Sequence, residues 1–552
     1  VKTAAQALAA VLRNRDLRRA EAAFGLFVAA ELGSWVAILV HAYRQGGTTE
    51  AGIVAAVQLV PAGALAPFAG AVADRLRGVV ALTGGYAVQC LTMAGTGIAL
   101  VAHAPWWCVY PLAATAASAV AATRPAQALV TPMLARSPLE LGAVNVLSGW
   151  ITAGMALVAP ALVGVVLTLS GPGTAFLCAA GATGTAALLV SALPRASLEP
   201  SGESLGVMLG ELTAGFATIR RHRPVRLVVA FVGVLSVLAG AIDVLAVTLA
   251  LGELGLGAGG PGYLTAAFGA GGLVGALAGL SLVGRRRLAP HFVGAGLACG
   301  IALVVLGLWS TIAAAFLLLG LAGAGMIVFD VTAQTLLQRI APSDVLSRVF
   351  GVAEGLTNLG WAAGSLAVPL LVALGGVRTA LIGIGAVLPV MVALRLRALV
   401  AIDDAATVPV VEISLLRGMR MFALLPSPAI EGLAAALVPI EVPARTDVVV
   451  EGDEGDRFYA IADGTVDVVS SGRRVTSLGR GEGFGEIALL RDIPRTATVT
   501  ATSDVRLYAL ERDAFLVALT GHAASHGALH ALADDRLEEL RVLRAAAERD
   551  PS

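Results

Sequence analysis

Apolar residues run in blocks of about 20, separated by short polar or Gly/Pro breaks, from about residue 20 to about residue 400. Each block is long enough to cross a hydrocarbon core of roughly 30 Å as an α-helix. Twelve blocks are counted, centred near Ala30, Val60, Leu91, Thr115, Met155, Ala182, Leu238, Gly271, Gly300, Leu321, Gly360 and Val387. Past residue 400 the pattern changes. Asp403-Asp404, Pro409, Pro426 and Pro428 punctuate a polar linker with short helices, and from about Asp447 short β-branched runs alternate with turn residues. That alternation predicts a small antiparallel β-roll or barrel. The expected fold class is an all-α polytopic membrane domain of 12 transmembrane helices in two six-helix halves, followed by a β-roll or jelly-roll domain with flanking helices. Its expected bounds are residues 1–400 for the helical domain (halves about 15–195 and 220–400), 401–420 for the linker and 421–552 for the second domain with a C-terminal lid helix.

Composition agrees with a chain that lives mostly in lipid: 57% hydrophobic residues against 14% charged, with a mean hydropathy of +0.83. The formal net charge of zero gives no reason to expect a nucleic-acid partner; the distribution of charge along the chain is what informs. Alternate loops hold Arg75 with Arg77, Arg136, Arg195 with Arg220, Arg221, Arg223 and Arg226, then Arg285 to Arg287, and Arg339 with Arg348, whereas the opposite loops hold little beyond Arg44 and Arg378. Cytoplasmic loops retain positive charge, so both termini are expected in the cytoplasm of a multi-pass plasma (inner) membrane protein. Arg13, Arg15, Arg18 and Arg19 lead straight into the first apolar block without a small-residue cleavage site, so no removable signal peptide is expected. Cys90, Cys108, Cys178 and Cys299 all lie in apolar stretches without metal-ligand spacing, and are read as small buried hydrophobes.

The longest break, from about Pro194 to Pro224, divides two sets of six blocks, which suggests an internal duplication. Arg124-Pro-Ala-Gln-Ala-Leu followed by Pro138-Leu-Glu-Leu is echoed by Val331-Thr-Ala-Gln-Thr-Leu followed by Pro342-Ser-Asp-Val, each at the fourth helix of its half. Between the second and third blocks stands Gly70-Ala-Val-Ala-Asp74-Arg75-Leu-Arg-Gly. This run resembles the Gly-x-x-x-Asp-Arg signature of the major facilitator superfamily, with the trailing Gly-Arg order reversed; the related loop of the second half, Gly279 to Arg287, lacks the acid. The resemblance covers about residues 15 to 400 and implies a secondary transporter, with Gly70, Asp74 and Arg75 locking the halves on the cytoplasmic side. The alternative is that Asp74 and Arg75 are interfacial charges ending a helix. The Arg-Pro-Ala-Gln run is similar to the efflux branch that includes macrolide and siderophore exporters.

Charged groups inside apolar helices point to transport chemistry, since each costs roughly 2.5–3.5 kcal/mol at the bilayer centre. Glu31, Arg124, Asp243, Asp330 and Glu354 fall in the first, fourth, seventh, tenth and eleventh blocks, with His41 near the outer end of the first. In the superfamily's fold the first, fourth, seventh and tenth helices line the central cavity, which would place four of the five on one aqueous path. Glu31 is expected to pair with Arg124, and Asp243 or Asp330 to be the partner group in the other half, with a proton as the coupling ion. The bland readings are a structural Glu31–Arg124 ion pair, surface placement of Asp330 and Glu354, and an interfacial His41.

In the second domain, Phe484-Gly485-Glu486-Ile487-Ala488-Leu489-Leu490 is followed, after a short spacer, by Pro494-Arg495-Thr496-Ala497-Thr498-Val499. A short helix start offers free backbone N–H groups to an anion, an arginine adds a charge-assisted contact, and a carboxylate accepts from a hydroxyl. The block resembles the phosphate-binding cassette of cyclic-nucleotide-binding domains, as in kinase regulatory subunits and nucleotide-gated channels. The resemblance implies that Glu486 and the Gly485 backbone take the ribose, that Arg495 with the amides of Ala488 and Thr496 takes the phosphate, and that Ile487 belongs to the same cassette. Thr496 stands where related domains use a hydroxyl toward guanine. Channel domains with threonine there still respond to cAMP, which is slightly favoured over cGMP as the regulatory ligand. No metal is expected.

Arg512 to Leu519 and about His522 to Arg549 read as helices, the second with Leu529, Leu532, Leu537, Leu540 and Leu543 in register. In the resembled family such a helix covers the base; packing on another protomer or on the barrel is equally compatible. His522, His526 and His530 share a helix face, more in keeping with a solvated surface than with a metal. No Ser/His/Asp set, metal cluster or Walker-type loop is evident, so neither an enzyme nor direct ATP drive is expected. The sequence reading is a proton-coupled exporter of a small amphipathic compound, biased by cyclic nucleotide through a linker from about Ala401 to Arg420. Its alternatives are transport of the nucleotide itself, or a non-transporting membrane-anchored nucleotide receptor.

Overall fold

The computed structural model describes residues 13–75, 78–134, 138–193, 216–217, 219–280, 282, 287–340, 346–405, 410–419, 422, 430, 433–434, 436–470, 472–491, 493–512 and 514–515. Its helical unit is built from residues 12–134 and 146–406, and a second unit carries residues 407–552. The helices in chain order are α1 Arg15–Arg75, α2 Gly78–Val101, α3 Trp106–Leu134, α4 Pro138–Leu169, α5 Pro172–Ser191, α6 Arg223–Thr248 with a π-turn Leu249–Glu253, α7 Gly260–Leu280, α8 Ala289–Leu308, α9 Ile312–Ile340 and α10 Leu346–Ala405. Among the described residues, nine helices are long and apolar enough to cross a membrane. Two of them are really two legs each. α1 is broken at Gly46-Gly47 and α10 at Gly375-Gly376, where Gly47 (φ 66) and Gly376 (φ 76) leave helical geometry. A side chain is strained in that left-handed region, and glycine is not. With these legs counted separately and α3 added, the twelve segments read from the sequence are recovered.

Packing follows the division into halves. In the first, α1 lies against α3 and α5, and α2 against the same pair; in the second, α6 packs on α10, α7 on α9, and α8 on both α9 and α10. Helices in lipid gain little from hydrophobicity alone, so close backbone approach does the work. At the α6–α10 crossing a Cβ on Gly364 would overlap the Val237 carbonyl oxygen and come within 2.9 Å of the Ala241 nitrogen. A triad of buried rings, Phe231, Phe292 and Phe329, fills the second half, with the last two centred 4.0 Å apart.

The halves meet where α1 touches α6 and α10. Near the diglycine breaks the contact is tight: a Cβ on Gly52 would come within 2.6 Å of the Ser365 carbonyl oxygen and of Pro369. The hydroxyls of Thr48 and Thr248 lie 3.3 Å apart across this seam. Gly262 of α7 similarly abuts Pro160 and Gly164 of α4.

The second unit opens with α11, Val410–Gly418. Then come β1 Val438–Val442, β2 Asp447–Val449, β3 Arg457–Asp463, β4 Val466–Ser470, β5 Arg473–Leu478, β6 Gly483–Phe484, the short helix α12 Glu486–Arg491, β7 Thr498–Ala501 and β8 Val505–Glu511. They form two antiparallel four-stranded sheets, ordered β1-β8-β3-β6 and β2-β7-β4-β5, which is the roll expected from the alternating pattern. One apolar cluster lies inside the roll around Ile461, Val466, Val499 and Leu507. A second joins α11 (Ile413, Leu416) and Met419 to Phe422, Phe458, Leu489, Tyr508 and Phe515.

The glycine packing yields a paired expectation. Gly364→Ala inserts a methyl where backbone already stands and should destabilise the protein by about 1–3 kcal/mol, seen as a lower thermal melting point in detergent. Gly84→Ala, where nothing lies within 4 Å, should leave the melting point unchanged.

Candidate functional sites

In the second unit, strands of one sheet and the α12 turn line an open cavity of about 110 Å³. Its wall is aliphatic on the strand side, with Val449, Val468, Val475, Leu478 and Val499, and Thr476 adds a hydroxyl. Gly485, Glu486, Ile487 and Ala488 line it from the α12 turn, and Arg495, Thr496 and Ala497 from the following segment. The six cassette residues named from sequence are thus brought to one cavity.

Gly485 makes the turn possible. At φ 93 its backbone is left-handed, and a Cβ would come 2.6 Å from Arg495 Nη1 and 2.9 Å from the Arg457 carbonyl oxygen. Arg495 is 5% exposed and Glu486 1%, so both charge-bearing groups are withdrawn from water. A buried guanidinium needs acceptors. Arg495 Nη1 donates to the Gly485 carbonyl (3.1 Å), while Nη2 donates to the Arg457 carbonyl (2.9 Å) and to Asp456 Oδ1 (3.2 Å). Its Cζ lies 6.0 Å from the centroid of the Tyr459 ring, which stacks in turn on Phe484. Burial, then the nearby Asp456, raises the Tyr459 pKa, so this ring stays a neutral phenol beside the guanidinium. The backbone on either side is pinned too: Arg495 N–H donates to the Asp453 carbonyl and Gly452 N–H to that of Arg495. The arrangement is an arginine fixed between carbonyls, a buried carboxylate on the same rim, and an aliphatic slot beside them.

Sequence reasoning missed Asp456, Tyr459 and the aliphatic wall. Asp456 stands in the Glu451-Gly-Asp-Glu-Gly-Asp456 run, which reads as a turn; the signal for the wall was the β-branched face of β4, β5 and β7.

Within the helical unit, Arg124 Nη2 donates to both carboxylate oxygens of Glu31, at 2.7 and 2.8 Å, and the guanidinium lies 5.9 Å from the Phe27 ring centroid. Glu354 lies within electrostatic range of Arg124 and of Asp330, and Gln334 Nε2 donates to Asp330 Oδ2 at 2.8 Å. The Glu31–Arg124 pair of the first half thus stands within electrostatic reach of Glu354 in the second. Asp243 stands apart from it, accepting a hydrogen bond from Trp35 Nε1 at 3.1 Å. His41 faces Tyr110 edge-on, and Tyr110 donates to Glu50. Glu21 was not singled out from sequence, yet it is 3% exposed and accepts from Ser148 Oγ. Gly70, Asp74 and Arg75 fall in the last turns of α1, and their side chains lie outside the described residues, as do the lid helix and His522, His526 and His530. No cluster able to hold a metal occurs among the described residues.

Comparison with known families places this geometry. The model of the Major Facilitator Superfamily matches residues 22–365, more than half of the chain. The chain belongs to the major facilitator superfamily. Its membrane helices are followed by a C-terminal cyclic nucleotide-binding domain, whose family model matches residues 439–522. Among solved structures it is similar to cAMP-bound PfPKA-R (141–441), at 23% identity and a TM-score of 0.25, over 26% of this chain and 51% of that one. A second is PKAR CBD2 bound to Sp-2Cl-cAMPS, at 23% identity and a TM-score of 0.24, over 25% of this chain and 92% of that one. A third is the regulatory domain of Toxoplasma gondii PKA with cAMP, at 26% identity and a TM-score of 0.22, over 26% of this chain and 54% of that one. The chain thus spans about half the length of the first of these structures.

For this superfamily member the pocket generates a direct test by calorimetric titration of the purified full-length protein. Arg495→Ala should weaken cyclic-nucleotide binding on the order of a hundredfold, while the melting point without nucleotide stays within a few degrees. Gly485→Ala should weaken binding as well, because its Cβ displaces the arginine that the phosphate would meet.

Proposed function

We propose that this protein is a secondary transporter of the plasma (inner) membrane, exporting a small amphipathic compound in exchange for protons, and that cyclic nucleotide bound in the cytoplasm sets its rate. The observation that carries the regulatory part is the pocket itself: Arg495 and Glu486 are buried and aimed at one cavity rather than lost from it. cAMP is preferred over cGMP. Among the described residues lining the slot, Thr476 and Thr496 offer hydroxyls between aliphatic walls. Guanine would leave more polar edge unpaired there than adenine, and each such group costs free energy on burial.

Regulation needs the nucleotide to bind one conformational state better than another. Leu489 of α12, the helix on the rim of the pocket, shares an apolar cluster with Ile413 and Leu416 of α11. The Tyr508 hydroxyl on β8 also hydrogen-bonds Glu412 in the first turn of α11; burial and then this bond raise its pKa. A shift of α12 on phosphate binding therefore loads α11, which follows the last membrane helix in the chain with the segment 401–420 as the transmitting link. Both termini are cytoplasmic in this reading, as the arginine distribution favours.

Proton coupling is supported by carboxylates in membrane helices, where an ionised group is otherwise selected against. Glu31, Asp243, Asp330 and Glu354 are the candidates, with Arg124 as the partner of Glu31. Transport of the nucleotide itself is disfavoured because Arg124 is already engaged by Glu31 on both carboxylate oxygens.

In proteoliposomes with an imposed pH gradient, uptake of a fluorescent amphipathic dye should change severalfold when cAMP is added on the domain side. Arg495→Ala should transport at the nucleotide-free rate whatever the cAMP concentration, and a protonophore should abolish uptake in both. Tyr508→Phe should bind cAMP normally yet show a reduced change in rate. Transport that ignores nucleotide in the wild-type protein, despite binding, refutes the regulatory reading.

A further inference from the structure

The first leg of α1 carries two polar anchors one helical turn apart, Glu31 and Trp35, which therefore share a face. They are used differently. Glu31 is held by Arg124, within its own half. Trp35 reaches into the other half, where its Nε1 donates to Asp243 Oδ2 at 3.1 Å. An indole N–H is a donor only and a carboxylate an acceptor, so the pair is complementary as it stands. The Trp35 ring packs against Ala56, Leu59 and, from the second half, Ala362. Around Asp243 the neighbours on α6 are apolar and buried: Ala241, Ile242, Val244 and Leu245.

We infer that the Trp35–Asp243 hydrogen bond is the latch of the seam between the halves, made when they are closed on the diglycine side and broken when that side opens. The inference rests on the alternating-access reading of a superfamily transporter, which requires contacts that exist in one state and not in the other. Several contacts share the seam, including Thr48 with Thr248 and Gly52 with Ser365 and Pro369. Among these, the indole–carboxylate bond joins a charge-bearing group of one half to a donor of the other. A hydrogen bond to such a group is worth more than one between neutral partners. Opening would give both partners to water together. The Glu31–Arg124 pair, lying inside one half, would pass through the same motion intact.

The test measures the closed and parted populations directly, without substrate or nucleotide, so its outcome is independent of whether nucleotide regulates transport. In a chain with Cys90, Cys108, Cys178 and Cys299 replaced by alanine, spin labels at Ala102→Cys and Ala313→Cys report the separation of the halves on the diglycine side by electron–electron double resonance in nanodiscs. Trp35→Phe removes the donor and Asp243→Val the acceptor; each should lower the closed-to-parted ratio by about tenfold. Trp35→Phe with Asp243→Val should lower it no further than either alone. Asp243→Asn keeps a carbonyl acceptor but loses the charge, and should fall between the wild-type ratio and that of Asp243→Val. The latch is overturned if either single variant leaves the distribution unchanged, if the double variant shows the product of the two effects, or if Asp243→Asn shifts as far as Asp243→Val. A monodisperse size-exclusion peak and an unchanged circular-dichroism spectrum in all variants verify that the fold is retained.

Discussion

A charge taken out of water has to be met inside the protein by an opposite charge or by hydrogen bonds, because desolvation otherwise costs more than packing returns. Glu31 sits in a membrane helix because Arg124 gives one nitrogen to both its oxygens. Arg495 is buried in the roll because two carbonyls and Asp456 receive its donors. The backbone is shaped to the same end. Gly485 adopts a left-handed turn that brings its own carbonyl to the guanidinium and leaves no room for a side chain between them. In both units a charge is positioned first by what satisfies it, and only then becomes available to a ligand or a moving partner.

Much of the fold was legible because its physical signals are local. A run of about 20 apolar residues crosses lipid whatever its neighbours do, and β-branched alternation between turn residues yields strands. The two diglycine breaks were also visible as composition, although continuous helices across Gly46-Gly47 and Gly375-Gly376 blur the segment count. The pocket was legible for the opposite reason. Gly485, Glu486 and Arg495 stand in a spaced pattern where each residue type answers one chemical need.

Other parts were illegible because they depend on contacts far apart in sequence. Trp35 and Asp243 are separated by 208 positions, and nothing in an apolar helix marks a tryptophan as the donor for one particular acid. Asp456 was hidden inside a turn-forming run, since acidic and glycine-rich turns are common and its role appears only when Arg495 folds back onto it. Glu21 accepts from Ser148, 127 residues away, and nothing in its local sequence marks that partner. Pattern reveals elements and motifs; partnership between distant elements needs the fold.

The proposed regulation by nucleotide also sets an energy scale. A tenfold difference in nucleotide affinity between two transporter states amounts to about 1.4 kcal/mol, comparable to one charge-assisted hydrogen bond. A shift of that size moves a balanced equilibrium strongly and a lopsided one hardly at all in absolute occupancy. Small nucleotide effects on a transporter therefore require its two states to lie close in free energy. A seam held by small-residue contacts and a few hydrogen bonds, such as Thr48 with Thr248 and Trp35 with Asp243, is suited to that balance. A seam fastened by many ion pairs would not be. Among the described residues the polar contacts between the halves are few beside the firm pairing of Glu31 with Arg124 inside one half, and such a balance would let a distant ligand matter.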